Sequence, residues 1–263
     1  WVKSENNSKG NELVNIKDLS ARGAMTLNTE AISYNAALTM GDSVGGSDGV
    51  IDFEKGFKIN YKTKKLDFKN VQNLAHLKLE GSASIEGSTE GNSSTATFDM
   101  AVNARDFIFE NFNLGNIISD VKLRKGHLLF EDLAGAQNKT QYLGDLDVDL
   151  VNSHLAGTFS IPSAELADIT KIFERIYKFP LDIQGLGAAK AHVEGPLNFW
   201  KLNYKLESNF KGVSANGESF DQLNFNVDAT NGNIKAQKVQ LLKNASTVNV
   251  LGGISSDLSL IHI

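Results

Sequence analysis

The 263-residue chain carries 26 Lys and Arg against 31 Asp and Glu, a formal charge of -5. That balance argues against a nucleic-acid scaffold, which needs a basic surplus to displace counterions. The absence of cysteine excludes disulfide staples and thiolate metal sites, and no apolar run approaches the roughly 20 residues of a membrane-spanning helix.

Alternation of apolar and polar residues dominates the chain. Side chains of a strand point to opposite faces with period two, so such a run reads as a strand with one greasy and one wet face. Ile32 to Met40 is the first clear run, with apolar even positions; Asp42 to Gly49 reads as a flexible loop. Phe57 to Tyr61 and Leu66 to Phe68 follow, with Lys62 to Lys65 expected to turn between them. Leu77 to Ile85 and Ala96 to Ala104 flank a polar Gly/Ser/Thr stretch expected to be a loop. Val121-Lys-Leu123, Leu128 with Phe130, and Leu146 to Leu150 come next, and Trp200 to Phe210 is the longest run. Three prolines against 23 glycines suit hydrogen-bonded ladders. The glycines are expected where strands turn: Gly41, Gly45, Gly46, Gly49, Gly87, Gly91, Gly115, Gly126, Gly232, Gly252 and Gly253.

One segment breaks the rhythm. From Pro162 to Pro180 apolar residues recur three and four apart (Leu166, Ile169, Ile172, Phe173, Ile176), predicting an amphipathic helix of about four turns. Ser163 is the expected cap, Glu165 and Asp168 favour the positive end, Arg175 and Lys178 the negative end, and Pro180 the stop. Its polar face mixes acids and bases, so packing on the sheet is favoured over lying on a membrane.

A weak repeat lays Val121 to Phe130 and Tyr142 to Leu146 over Val227 to Ala236 and Val250 to Ile254. Gly126 pairs with Gly232 and Gly144 with Gly252, which demands a two-residue insertion. Trp1 is not a natural start, and Leu258 to Ile263 ends on an apolar run, so both ends read as cuts with any anchor or targeting signal outside.

No catalytic constellation emerges. His76, His127, His154, His192 and His262 share no motif. Asp145, Asp147 and Asp149 are interleaved with Leu146, Val148 and Leu150, so they line a wet strand face instead of forming a calcium loop. Gly185-Leu-Gly187 lacks the third glycine of a dinucleotide fingerprint.

From Ala164 to Asp257 the chain resembles the repeating portion of the AsmA/TamB-like family, the translocation-and-assembly-module proteins of diderm bacteria. The likeness is carried by a helix ending at Pro180, then Leu181-Asp-Ile-Gln-Gly185, Ala189-Lys-Ala-His-Val193-Glu-Gly195-Pro196, and Phe220-Asp-Gln-Leu223-Asn-Phe225. Residues 1 to 160 share only the strand rhythm. Periodicity leaves a closed sandwich and an open sheet equally possible, since strands of both alternate alike. The resemblance implies the open form: an all-β chain, a long curved antiparallel sheet forming a U-shaped hydrophobic groove, with one amphipathic helix. The expected organisation is a groove section over 1–161, the helix over 162–180 and a second groove section over 181–263.

The resemblance further implies a periplasmic segment, inner-membrane anchored elsewhere, that shields phospholipid acyl chains between the two membranes. It needs no cofactor, metal or enzyme activity. An alternative is an assembly factor acting with an outer-membrane barrel partner by strand addition. The expected floor is Ile32, Tyr34, Leu38, Leu77, Leu79, Phe98, Met100, Val102, Leu146, Val148 and Leu150, then Trp200, Leu202, Tyr204, Leu206, Phe210, Leu223, Phe225 and Val227. Asp at both Tyr204 and Phe225 is expected to stop lipid passage and leave the sheet folded.

Overall fold

The computed structural model describes residues 14–16, 18–74, 77–92, 95–176, 178, 180, 182–198, 201–231, 233–255 and 261–262. Its strands are β1 (Val14–Ile16), β2 (Leu19–Leu27), β3 (Ala31–Met40), β4 (Ser43–Asp52), β5 (Gly56–Asp67), β6 (Val71–Leu74), β7 (Leu79–Gly91), β8 (Thr97–Phe109) and β9 (Phe112–Arg124). They continue as β10 (His127–Gln137), β11 (Thr140–Asp149), β12 (His154–Glu165), β13 (Ile183–Pro196), β14 (Asn203–Ala215), β15 (Glu218–Thr230), β16 (Asn233–Lys243), β17 (Ser246–Ser255) and β18 (Ile261–His262). A 3-10 turn, η1 (Phe68–Asn70), follows β5, and the helix α1 (Leu166–Phe173) follows β12. The fold is all-β and antiparallel, with one α-helix among the described residues.

Two compact units divide the chain between Glu131 and Asp132, inside β10. In the first, the order is β2-β3-β4-β5-β7-β8-β9, each strand beside its successor. β6 leaves this order and pairs with β1, Val14 opposite Leu74. In the second, β11 to β18 lie in chain order. Short connections between successive strands are what the alternating pattern requires, because each hairpin keeps the apolar set on one face.

The two units repeat one plan. β4 and β11 each hold ten residues and β5 and β12 each hold twelve, offset by 97 (Ser43 to Thr140) and then 98 (Gly56 to His154). β8 and β14 each hold thirteen, as do β9 and β15, offset by 106 (Thr97 to Asn203). The left-handed backbone positions follow: Asp106 with Gly212, Glu110 with Asn216, Lys125 with Asn231, and Asn138 with Asn244. β16 and β17 then match β10 and β11 at the same offset, Thr140 to Ser246. The two-residue insertion expected between Gly144 and Gly252 is therefore not there; Gly144 corresponds to Val250.

Several expected turns are strand instead. Lys62 to Lys65 lie within β5, where an extra residue at Lys64–Lys65 makes a bulge against β4 and β7. The real turn is Phe53 to Lys55, where Asp52 accepts from the amides of Glu54 and Lys55 at 3.0 and 2.8 Å. Those amides hold the Asp52 carboxyl below its usual range, the Lys55 bond most of all. Asp42 to Gly49 is no loop, since β4 begins at Ser43. Phe68, expected in a strand, belongs to η1. Gly45, Gly46, Gly49, Gly87, Gly115, Gly252 and Gly253 lie inside strands, and β7 runs on to Gly91, into the stretch expected to be a loop. At Gly87 the reason is close approach: a Cβ would stand 2.3 Å from the Asp99 carbonyl oxygen.

The helix spans eight residues, about two turns, where about four turns were expected between Pro162 and Pro180. Pro162 and Ser163 belong to β12, which shifts register between Ile161 and Ala164 against β13. Proline lacks a donor and is tolerated at such a bulge. Ser163 does not cap; Glu165 is the N-cap residue, without a side-chain bond. Arg175 and Lys178 lie beyond the helix. Trp200, Leu181, His76 and Gly232 fall outside the described residues.

Candidate functional site: a two-sided sheet

Register decides which residues share a face, because directly paired residues point the same way. In the first unit one row is Met25, Tyr34, Gly49, Ile59, Thr89, Phe98 and Leu123. Its neighbours along the strands contain Ile32, Ile51 and Phe57 on one side, then Ala36, Ser47, Tyr61, Met100 and Val121, and Leu38, Ile85 and Val102 on the other. Leu79, opposite Phe109, lies on the same side beyond the bulge at Asp106. Ile32, Tyr34, Leu38, Leu79, Phe98, Met100 and Val102 therefore form one apolar face, and all are half-buried. Leu77 precedes β7 and is buried.

Small polar groups interrupt this face without orphaned atoms. Tyr34 and Ser47 hydroxyls are 2.9 Å apart, and Ser47 donates to the Asn60 carbonyl. Thr89 donates to the Tyr61 hydroxyl, whose pKa burial raises.

The reverse face of the same strands is charged. Lys62 pairs with Glu86 at 2.6 Å, Lys58 with Glu90 at 3.8 Å, and Arg124 grips Asp99 through both carboxylate oxygens at 2.6 Å. A concavity of about 520 Å³ opens there, lined by Asn35, Asp48, Asn60, Lys62, Glu86 and Asp99 among others.

The second unit has the same division. One row is Leu146, Gly157, Val193, Tyr204, Ala229 and Ile234; the next is Gly144, Phe159, Ala191, Leu206, Val227 and Ala236. Further along come Ile161, Ala189, Ser208, Phe225 and Val239, then Ala164, Gly187, Phe210, Leu223 and Leu241. Opposite them, Asn209, Asn224, Gln240 and Asn249 form an amide ladder across four strands, joined by side-chain hydrogen bonds. Asp145 lies on this polar side, paired with Thr158.

Burial is uneven across the apolar face. Leu146, Tyr204, Leu206, Phe225 and Val227 in the middle are half-buried, as is Leu150 at the turn after β11. At one strand end Val148, Leu155 and Leu202 are 0–5% exposed. At the other, Phe210 and Leu223 are sealed with Ala164, Val213 and Leu166 in a cluster that Ile169 and Phe225 join. Five expected floor residues thus belong to the core instead of an open floor: Phe210 and Leu223 beneath α1, and Leu77, Val148 and Leu202 elsewhere. Tyr204 shows the effect of the apolar surroundings: burial pushes its hydroxyl up to about 12. Tyr142 on β11, its ring against Gly135, is shifted further in the same direction by burial.

What sequence reading missed is how α1 is held. Asp168, 3% exposed, accepts from Asn138 Nδ2 at 2.8 Å and from the amides of Lys139 and Thr140 at 2.9 and 3.2 Å. Thr140 Oγ1 accepts from the Glu165 amide at 2.9 Å and donates back to the Glu165 carbonyl. Asp168 carried one usable signal, an acid among the apolar residues of a helical run.

Among the described residues no cluster of three or more His, Asp or Glu is placed to hold a metal ion, and no helix is long and apolar enough to cross a membrane. No family model, curated protein or solved structure matches the chain.

Proposed function

We propose that this chain is a segment of a periplasmic lipid-transfer bridge, its apolar face shielding phospholipid acyl chains between inner and outer membranes. The observation that carries the reading is the half-buried apolar face with a polar reverse in each unit, charged in the first and amide-lined in the second. A second sheet would have buried the middle rows; Leu206 and Val227 keep surface available to a guest.

The energetics favour such a use. Each methylene kept from water is worth about 0.8 kcal/mol, so a chain of about 16 carbons gains on the order of 13 kcal/mol from full shielding. An apolar face supplies that without nucleotide, metal or covalent chemistry, and the headgroup remains hydrated. The compartment, the membrane anchor outside this segment and the phospholipid cargo rest on the family resemblance of residues 164–257.

The direct test is mass spectrometry of lipids retained by the purified chain, with saturation binding of a fluorescent phospholipid. Stoichiometric phospholipid is expected; a chain that retains none and gives no saturable binding ends the proposal.

One observation favours a second reading, assembly of outer-membrane proteins with a barrel partner. All nine residues of β2 are exposed, and among the described residues its outer edge has no partner strand. A free edge recruits strands by main-chain hydrogen bonds. Crosslinks from Met25 to a nascent barrel protein would support it.

A further inference from the structure

We infer that α1 and η1 are equivalent built-in rims, each closing one strand end of its own unit's apolar face and confining a lipid guest to that unit's middle rows. This deepens the lipid-transfer reading and rests on it.

The two covers differ in length and in helical type. One is an eight-residue helix, the other a three-residue 3-10 turn continued by β6. Their placement is nevertheless the same. Each directly follows a twelve-residue strand, β5 or β12. Each opens with a buried apolar side chain, Phe68 or Leu166, at 7% and 4% exposure. Phe68 lies against Phe107 with ring centroids 5.5 Å apart, and Leu166 joins Val213; Phe107 and Val213 both follow the left-handed bulge residue of their strand.

Each cover is also latched to a hairpin turn one hairpin further back, the β3–β4 turn for η1 and the β10–β11 turn for α1. Asn70 Nδ2 donates to the Met40 carbonyl at 3.0 Å, while Ser43 Oγ accepts from the Asp67 amide at 3.0 Å. Asp168 accepts from the turn at Asn138 to Thr140, and Thr140 Oγ1 accepts from the Glu165 amide. Ser43 matches Thr140, Asp67 matches Glu165, Phe68 matches Leu166 and Asn70 matches Asp168, all at offsets of 97 or 98. Residue types changed between the copies; the hydroxyl, the latch and the covering contact did not. A segment serving only to fill space would not need the same anchor twice.

The consequence is positional. Beneath α1, Phe210 is 0% and Leu223 6% exposed, leaving nothing for an acyl chain to touch. Four residues along the same strands, Leu206 and Val227 remain half-open. A guest is therefore held across the strands, along the middle rows, and not lengthwise along one strand.

The experiment uses the chain with phosphatidylethanolamine vesicles carrying a diazirine on one acyl chain, photolysed and mapped to residues by fragment ions. Label on Leu206 and Val227 is expected at least tenfold above that on Phe210 and Leu223. Asp168→Ala should bring label onto Phe210 and Leu223. Ile169→Asp, which loosens α1 without touching the latch, should do the same and serves where the first variant folds poorly. Equal label on covered and middle residues in the parent chain overturns the inference. So does an unchanged map in folded variants whose α1 amides exchange freely with deuterium. No label anywhere, with no lipid retained, sinks the transfer reading itself and this inference with it.

Discussion

Phe210 and Phe225 stack with ring centroids 5.9 Å apart and an interplanar angle of 6°, and the border between sealed and open sheet runs between them. Phe210 is fully buried under the α1 cluster, whereas Phe225 keeps part of its surface exposed. One aromatic pair thus joins the structural core of the second unit to the half-open middle of its apolar face.

That border makes a stability prediction. Phe210→Ala removes a fully enclosed ring and should cost about 3–5 kcal/mol, the range for large-to-small changes in a core. Leu206→Ala, two rows over on a half-open surface, should cost only about 1 kcal/mol, because less area leaves the interior. Urea unfolding of both variants measures the difference. Equal losses would mean that the middle row is as enclosed as the cluster.

The repeated latch makes another. Thr140→Val keeps the shape but strands the Glu165 amide, and Ser43→Ala strands the Asp67 amide. Each should cost about 1–3 kcal/mol, the penalty of a buried donor left without a partner. Each effect stays inside its own unit, so the double variant should show their sum within about 0.5 kcal/mol. Urea unfolding of the two single variants and the double checks this; costs that differ strongly would deny that the two sites do the same work.

The alternating runs made the faces legible. Ile32, Tyr34 and Leu38, or Tyr204, Leu206, Phe225 and Val227, share a side because period two leaves no other choice once the strands pair in order. Glycine misled the reading, since Gly49 and Gly87 sit where strands crowd one another, and a residue without Cβ fits there as readily as in a turn. The helix was overextended because apolar spacing persists past Phe173, while Pro162 marks a bulge of the preceding strand. The latches were invisible for a different reason. Ser43, Asn70, Thr140 and Asp168 are ordinary polar residues until the hairpins bring residues 27 or 28 apart into contact. Val121 to Phe130 lies over Val227 to Ala236 in the register expected, and the repeat slips only at Gly144 and Gly252, because strand lengths and left-handed positions, not glycines, mark equivalent places.

Alkaline pH should loosen the second unit. The Tyr204 hydroxyl titrates near 12 when folded against about 10 unfolded, so between those values the native state holds a proton that the unfolded chain has lost. Stability from this group is complete below pH 10 and declines as pH rises towards 12, by at most about 1.4 kcal/mol per pH unit. Tyr142 works in the same direction. Tyr204→Phe should flatten the decline. Urea midpoints between pH 9 and 11, with tyrosinate absorbance as a second probe, check the sign; rising stability over that interval would contradict it.

The last prediction compares the two faces with a single chemical change. Leu206 lies in the middle apolar row, between Ala191 and Val227. Leu186 lies on the polar side, opposite Lys211 and 60% exposed. An aspartate at position 206 would place a carboxylate where a hydrocarbon chain must rest, and an unpaired charge against hydrocarbon is strongly disfavoured. At position 186 the same carboxylate meets water, with Lys211 opposite on one side and Glu165 on the other. Leu206→Asp should therefore lower retained phospholipid at least tenfold, while Leu186→Asp leaves it unchanged. This pair is a cleaner test than aspartate at Tyr204 and Phe225, because Phe225 packs on Phe210 and its loss would disturb the α1 cluster as well. Lipid mass spectrometry and a thermal melt of each variant separate lost binding from lost folding. Equal retention by the two folded variants would show that the apolar face is not where lipid lies.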